Sequence, residues 1–397
     1  MAEDGDVVVN QTSSLGWIYV VVSDTRSPGP RQPVPSWLPG SAVAVYGSLL
    51  TVVAVLLNAI VLGSSLASGP RSTRPVVRRL LTANLAVVQL AAAVLVVPAA
   101  AVTEAVRAWT FGGQACRAWL TAQVLFIAST MWSLVGLDVD CLLRLISPRR
   151  CYATLAERHP RVLAVVIITS SWVVSGLAAL PVGLAVGTRQ GDSGDDDAPV
   201  LEDVCAVSLS RKHVVTQSLV AFLLPAATGL TGSVAMLATR AFKMAAAGDR
   251  QGGRGECSLA AVGTACVVLW APFFALYTLL PFCGDGLCID PATWTLFAWL
   301  GHSTTVVAPA AWFIDPAVRA DVRRLARQLR RRCVSCFCCC CGGFHGNATP
   351  SASSTSDGVG TVGDESCGLM SVTKYQIDRP AQQQPHTCSP NAYNSPA

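Results

Sequence analysis

Seven runs of apolar residues, each long enough to cross a lipid bilayer, constrain this chain more than any other feature of its sequence. The runs cover about 42–66, 80–102, 118–137, 162–186, 214–237, 260–282 and 292–314. At about 1.5 Å of rise per residue, roughly 20 helical residues cross about 30 Å of hydrocarbon. Only 13% of the residues are charged and 52% are apolar, whereas a soluble domain carries about 25% charged residues. The expected fold is an all-α membrane protein, a seven-transmembrane helix bundle. The first 40 residues show no basic stretch followed by an apolar core, so no cleavable leader is expected.

The positions of Lys and Arg orient the bundle, because basic residues in short loops stay on the cytoplasmic side. Arg71, Arg74, Arg78 and Arg79 follow run one, and Arg144, Arg149, Arg150, Arg158 and Arg161 follow run three. Arg240, Lys243, Arg250 and Arg254 follow run five, and Arg319, Arg323, Arg324 and Arg327 follow run seven. The loop between runs four and five instead holds Asp192, Asp195, Asp196, Asp197, Glu202 and Asp203. A multi-pass plasma-membrane protein is expected, with the amino terminus extracellular and the carboxyl terminus cytoplasmic. The net charge of +5 reflects this sidedness, and no nucleic-acid partner is expected.

The segments divide accordingly. Residues 1–40 form an extracellular segment with one outward glycosylation sequon at Asn10, 41–314 the membrane domain, 315–341 an amphipathic helix with a Cys-rich end, and 342–397 a disordered cytoplasmic tail rich in Ser, Gly and Pro. Val318, Val322, Leu325 and Leu329 fall along one side of the amphipathic helix, which suits the inner membrane surface and its lipids. Cys333, Cys336, Cys338, Cys339, Cys340 and Cys341 crowd its end and suit acylation. Their spacing is too tight for two zinc-binding pairs, with only His345 nearby. Cys116, Cys205, Cys283 and Cys288 fall on the oxidising side, and four cysteines permit two bridges.

Polar residues and prolines inside the runs matter because lipid cannot satisfy them. Asn58 in run one should face the bundle; Pro98 should kink or loosen run two near its outer end, and Pro272 should break the backbone ladder of run six. These landmarks together resemble the rhodopsin-like G-protein-coupled receptors over about 42–341. Asn58 matches the asparagine of the family's first helix, Trp172 the tryptophan of the fourth and Pro225 the proline of the fifth. Trp270-Ala-Pro matches the sixth-helix motif with Leu269 in place of its cysteine, and Pro309 matches the seventh-helix proline. Cys116 and Asp140 have the spacing of the family's bridge cysteine and the aspartate of its Asp-Arg-Tyr motif. The nearest subset looks like the biogenic amine receptors, as in Ala118-Trp-Leu-Thr-Ala-Gln-Val-Leu-Phe, Trp270-Ala-Pro-Phe-Phe and Trp299-Leu-Gly-His.

The resemblance implies a ligand pocket between helices three, five, six and seven. Its candidates are Gln123 and Val124, then Gln217 and Ser218, then Trp270, Phe273, Phe274 and Tyr277, and finally Trp299 and His302. The competing reading is polar helix-helix glue and aromatic core. Gln123 stands where the subset carries its amine-binding aspartate, and an amide supplies no charge to offset an ammonium's desolvation.

The switch and coupling positions are Asp140, Cys141, Pro272, Pro309 and Trp312, and here the departures concentrate. Cys141 replaces the family's arginine, Gln89 its buried aspartate, Ala308 and Trp312 two seventh-helix residues, and Ser233 a fifth-helix tyrosine. With no carboxylate at Gln89, no sodium regulation is expected.

Two function classes follow. The first is an orphan-like receptor that signals by ligand-driven or constitutive helix rearrangement, its partners an unknown small molecule, amine-like by resemblance, and a heterotrimeric G protein or arrestin. The alternative is a non-signalling decoy or heteromer-modulating protein. An enzyme or light-driven pump is not expected: run seven has no lysine for retinal, and His302 is the one histidine deep in a span. No cofactor or metal is expected.

Overall fold

A computed structural model describes residues 19–21, 39–67, 72–106, 108–146, 151–184, 205–247, 254–279, 282 and 291–341, the last ten without their side chains. Asn10, Cys283, Cys288, the acidic loop at 192–203 and the tail from 342 lie outside these residues, as do the six clustered cysteine side chains. The chain forms a bundle of seven spans. Span one is α1 (Gly40–Ala67). Span two joins α2 (Val76–Ala91) to α3 (Val97–Val106) through a π-helical turn at Ala92–Val96. Span three is α4 (Gly113–Ile146), and a short loop helix, α5 (Cys151–Arg158), leads into span four, α6 (Pro160–Leu184). Span five joins α7 (Arg211–Ser218) to α8 (Leu224–Ala247) through a second π turn at Leu219–Leu223. Span six is α9 (Arg254–Leu279), span seven is α10 (Pro291–His302) with α11 (Thr304–Trp312), and α12 (Pro316–Cys341) follows.

Two short strands, β1 (Tyr19–Val21) and β2 (Ala206–Ser208), pair in parallel beside the disulfide end of α4, an addition to the all-helical expectation. Helix α4 runs 34 residues, well past the apolar run at 118–137, because its charged end continues as helix toward Arg144. Likewise α8 and α9 reach Ala247 and back to Arg254, beyond the apolar runs that end near 237 and begin near 260.

Among the described residues six helices are long and apolar enough to cross a membrane; the seventh span is divided at Ser303. The hydroxyls of Ser303, Thr304 and Thr305 each donate to the carbonyl three residues back, Leu300, Gly301 and His302, at 2.5, 2.7 and 2.8 Å. Such back-bonding competes with the helical ladder and bends it. The first carbonyl that Pro309 leaves without an N–H is that of Thr305, four residues earlier. Asn58 Nδ2 donates to it at 2.9 Å and also to Ala54 O at 2.8 Å. The buried amide of span one thereby completes the backbone of span seven.

The same logic holds elsewhere. Each π turn lies two residues ahead of a proline, Pro98 or Pro225, and α4 sends an indole N–H into each: Trp119 Nε1 donates to Val96 O at 3.1 Å and Trp132 Nε1 to Val220 O at 3.0 Å. Trp172 of α6 donates to Asn84 Oδ1, and Asn84 Nδ2 to Ser133 Oγ, both at 3.0 Å, joining spans four, two and three. Pro272 takes one N–H out of the ladder of α9, which continues through it, as α6 continues through Pro181 and α11 through Pro309.

Helix α12 starts as the sequence predicts. Asp315 Oδ1 accepts from Ala317 N at 2.8 Å, an N-terminal cap. Val318 is fully buried, but Leu329 is 52% exposed, so the apolar side of α12 lapses before the cysteines.

Replacing Trp132 by Phe removes the donor to Val220 O and keeps most of the ring volume. We expect a loss of about 1 kcal/mol, read as a lower melting temperature of the purified protein in detergent; Trp119→Phe behaves alike.

Candidate functional site

The bond between Cys116, in the first turn of α4, and Cys205, just ahead of β2, has a Cα–Cα distance of 5.4 Å and ties the loop after span four across the end of the bundle. Below it the expected pocket residues converge, packed against one another. Phe222 and Phe274 stack at 4.5 Å between ring centroids, Phe273 and Tyr277 stack at 6.1 Å, and Trp270 meets Phe273 edge-on at 5.6 Å. Tyr277 Oη donates to Gln217 Oε1, and Gln217 Nε2 reaches Ala178 O at 3.5 Å. Ser218 turns back to donate to Val214 O at 2.9 Å. Val124 packs toward Ala128, Ala178 and Ala221.

Deeper between spans two, three, six and seven lies a small cavity lined by Gln89, Val96, Gln123, Thr130, Trp270, His302, Thr304 and Thr305, among others. It unites three predicted residues, Gln123, Trp270 and His302. It adds Thr130, Thr304 and Thr305, which hydroxyl content alone did not single out among the many Ser and Thr of the spans. Gln89 Nε2 donates to Thr130 Oγ1 at 3.3 Å, so the neutral amide at the family's aspartate position is spent on a neighbouring helix. Gln123 is 1% exposed, and neither atom of its amide has a hydrogen-bond partner among the described residues. A buried polar group left unmatched costs about 1–3 kcal/mol, so this amide is the wall's open hydrogen-bonding position.

Trp270 links the cavity to span seven. Its Nε1 donates to Thr304 Oγ1 at 3.2 Å, and its ring meets His302 edge-on at 5.4 Å; Trp299 is 5.8 Å from the same imidazole. The indole lies against Gly301, where a Cβ would sit 2.4 Å from Trp270 Cε3. Glycine is required by that close approach.

At the other end of α4, Asp140 is engaged within its own neighbourhood. Arg144 Nε donates to both carboxylate oxygens at 3.1 Å, and Tyr152 Oη of α5 donates to Oδ1 at 2.6 Å. Burial first, then the bond to Asp140 and its charge, hold the Tyr152 phenol above its ordinary value. Cys141 is buried beside this pair as a free thiol. Ser233, at the missing tyrosine's position, donates to Asp138 Oδ2 at 3.4 Å, while Asp138 Oδ1 has no hydrogen-bond partner among the described residues; Asp138 is a buried carboxylate that family motifs did not flag. Trp312 and Pro309 are buried, and Pro272 lies within α9 two residues past Trp270.

The loop ahead of α2 docks on α12 through Asp321, which accepts from Ser72 Oγ at 2.9 Å and Arg324 Nη1 at 3.2 Å and pairs with Arg74 at 3.7 Å. Burial, then the adjacent Arg78, pull the Arg74 guanidinium down to about 10, against the opposing pull of Asp321 and Asp315. This buried docking was not legible in the arginine count.

The seven spans, the Cys116–Cys205 bridge and the landmark residues at their contact points define a heptahelical membrane receptor. The model of the 7 transmembrane receptor (rhodopsin family) matches residues 58–311, and the chain belongs to that family, one of receptors rather than enzymes. Among its relatives, the D(1) dopamine receptor of Carassius auratus is 27% identical over 316 residues, covering 68% of this chain and 84% of the relative. The D(1A) dopamine receptor of Didelphis virginiana is 25% identical, covering 75% and 74%. The D(1B) dopamine receptor of Mus musculus is 26% identical, covering 75% and 71%. The nearness to amine receptors read from helices three, six and seven is thereby supported.

Gly301→Ala should displace the Trp270 indole and destabilise the fold by about 1–3 kcal/mol. Thermal unfolding of single and double variants checks this: Trp270→Leu in the Gly301→Ala background should recover part of the loss, the positive coupling of two groups in contact.

Proposed function

We propose that the protein is a plasma-membrane receptor for a neutral or weakly polar small molecule, seated at Gln123 between spans three, six and seven. The amino terminus faces outward, so the disulfide end is the extracellular mouth. The observation that carries the reading is the Gln123 amide: buried, unbonded at both atoms and set in a cavity wall with Trp270 and His302. A ligand offering both a donor and an acceptor answers it. An ammonium would bring a charge that no carboxylate of this wall balances.

The names of the dopamine receptors supply the amine-like comparison, and Gln123 is where this chain departs from it. Ligand seating would press on Trp270 and, through Thr304, on the divided seventh span. A ligand that binds one arrangement of that segment better than the other shifts the population toward it. We propose G protein or arrestin as the receiving partner on the cytoplasmic side. Acylation at the cysteines from Cys333 to Cys341, glycosylation at Asn10 and contact of α12 with lipid belong to the same proposal.

The test is ligand binding to the full chain in nanodiscs. Dopamine should bind weakly to the wild type, and Gln123→Asp should tighten it by about tenfold or more, the worth of one charge-assisted hydrogen bond. Tight, saturable dopamine binding that Gln123→Ala leaves unchanged would remove this site from the reading.

A second reading, a decoy or heteromer partner that does not couple, is favoured by Cys141 and by the closed Asp140, Arg144 and Tyr152 cluster. Cys141→Arg separates the two. If the wild type is silent, a gain of G-protein recruitment in the variant at equal surface expression shows that this one position silences it, whereas a wild type that already recruits supports the first reading.

A further inference from the structure

The start of α9 is gripped from three directions. Arg78 Nη2, reaching from α2, donates to the carbonyl oxygen of Gly255 at 2.6 Å and lies 3.6 Å from Asp315 Oδ2, ahead of α12. One residue on, Glu256 pairs with Arg240 of α8 at 3.7 Å. Ser258, fully buried, donates to Ala311 O of α11 at 3.0 Å. Three successive contacts thus tie one end of span six to spans two, five and seven and to the start of α12. Span three takes no part. Of its two acids, Asp140 is bound to Arg144 and Tyr152 and Asp138 accepts from Ser233 of span five, and α4 makes no ion pair with α9 among the described residues.

The grip depends on one glycine. A Cβ at Gly255 would lie 2.8 Å from Arg78 Nη1, 3.1 Å from Nη2 and 3.2 Å from Asp315 Oδ2, so the backbone there is bare because the guanidinium and carboxylate close over it. The Arg78 and Asp315 side chains are only 13% and 5% exposed. A charge-assisted bond in that setting is stronger than a surface ion pair, which is nearly neutral in energy. Helix α9 spans 26 residues with Pro272 inside it, so freeing its first turn would let that end swing.

We infer that Arg78, Gly255, Asp315 and the Arg240–Glu256 pair form a latch that holds the first turn of span six against spans two and five. Beside the latch, Cys141 of α4 is 8% exposed and within electrostatic reach of Arg78 and Glu256. Its release uncovers that thiol. This inference is independent of what ligand the other end binds.

The test is maleimide labelling of the full chain in permeabilised cell membranes, with Cys141 read alone by peptide mass spectrometry and the Cys116–Cys205 bond serving as the check of folding. Gly255→Ala and Arg78→Gln should each raise the Cys141 labelling rate about tenfold, the shift that loss of one charge-assisted bond produces. Arg240→Glu should do the same, and Arg240→Glu with Glu256→Arg should return the rate toward the wild type. Arg144→Gln, outside the latch, should leave it within about twofold. Wild-type rates in Gly255→Ala and Arg78→Gln, with the disulfide intact, would overturn the latch. So would a rise in Arg144→Gln equal to theirs, because it would make α4 the element that holds span six. If Arg78→Gln fails to form the disulfide, the milder Gly255→Ala and the charge exchange decide the matter.

Discussion

In a membrane-spanning bundle every backbone N–H and C=O must find a partner within the protein, and this constraint organises the structure. Prolines in five of the seven spans and two π turns strain the helical ladders. The repairs come from neighbouring spans: Asn58 at Thr305 O, Trp119 at Val96 O and Trp132 at Val220 O. Each irregular backbone segment is therefore also a point of helix-helix recognition. The bundle's register is set by where those donors can reach, since lipid offers no hydrophobic drive between helices.

The two ends of α4 use that frame differently. At the disulfide end, the polar groups line a cavity and the Gln123 amide is left open. At the other, nearly every ionisable group is matched at short range: Asp140 by Arg144 and Tyr152, Asp315 by Arg78, Asp321 by Ser72 and Arg324. Among the described residues Asp138 has one oxygen without a hydrogen bond, and the Arg74 guanidinium meets Asp321 only as an ion pair. The divided seventh span, joined to Trp270 through Thr304, runs between the two ends.

Much of the fold was legible because hydropathy carries it. The spans, Asn58 facing inward, the start of α12 at Asp315 and the gathering of Gln123, Trp270 and His302 all follow from residue type and family spacing. The division at Ser303 was signalled by Ser303-Thr-Thr, yet that triplet reads as helix when only hydropathy is weighed. Pro272 marked a missing ladder bond, but not that α9 continues through it. The arginines after run one indicated sidedness and concealed their second use: Arg74 and Arg78 are buried in ion pairs with Asp321 and Asp315, some 240 residues away in sequence. Nothing local announces a pair so distant.

The sequence by itself determined the class of protein, the number of spans and the chemical departures at positions 89, 123, 141 and 233, because each depends on residue identity at a known offset from a landmark. Only the tertiary structure decided what those departures do. Gln89 is spent on Thr130 while Gln123 is left open; Ser233 meets Asp138; Asp140 is closed by Arg144. The physical reason is that hydrogen bonds act over about 3 Å, and which groups come that close is set by how the helices rotate and cross, which packing chooses and no single stretch of chain encodes.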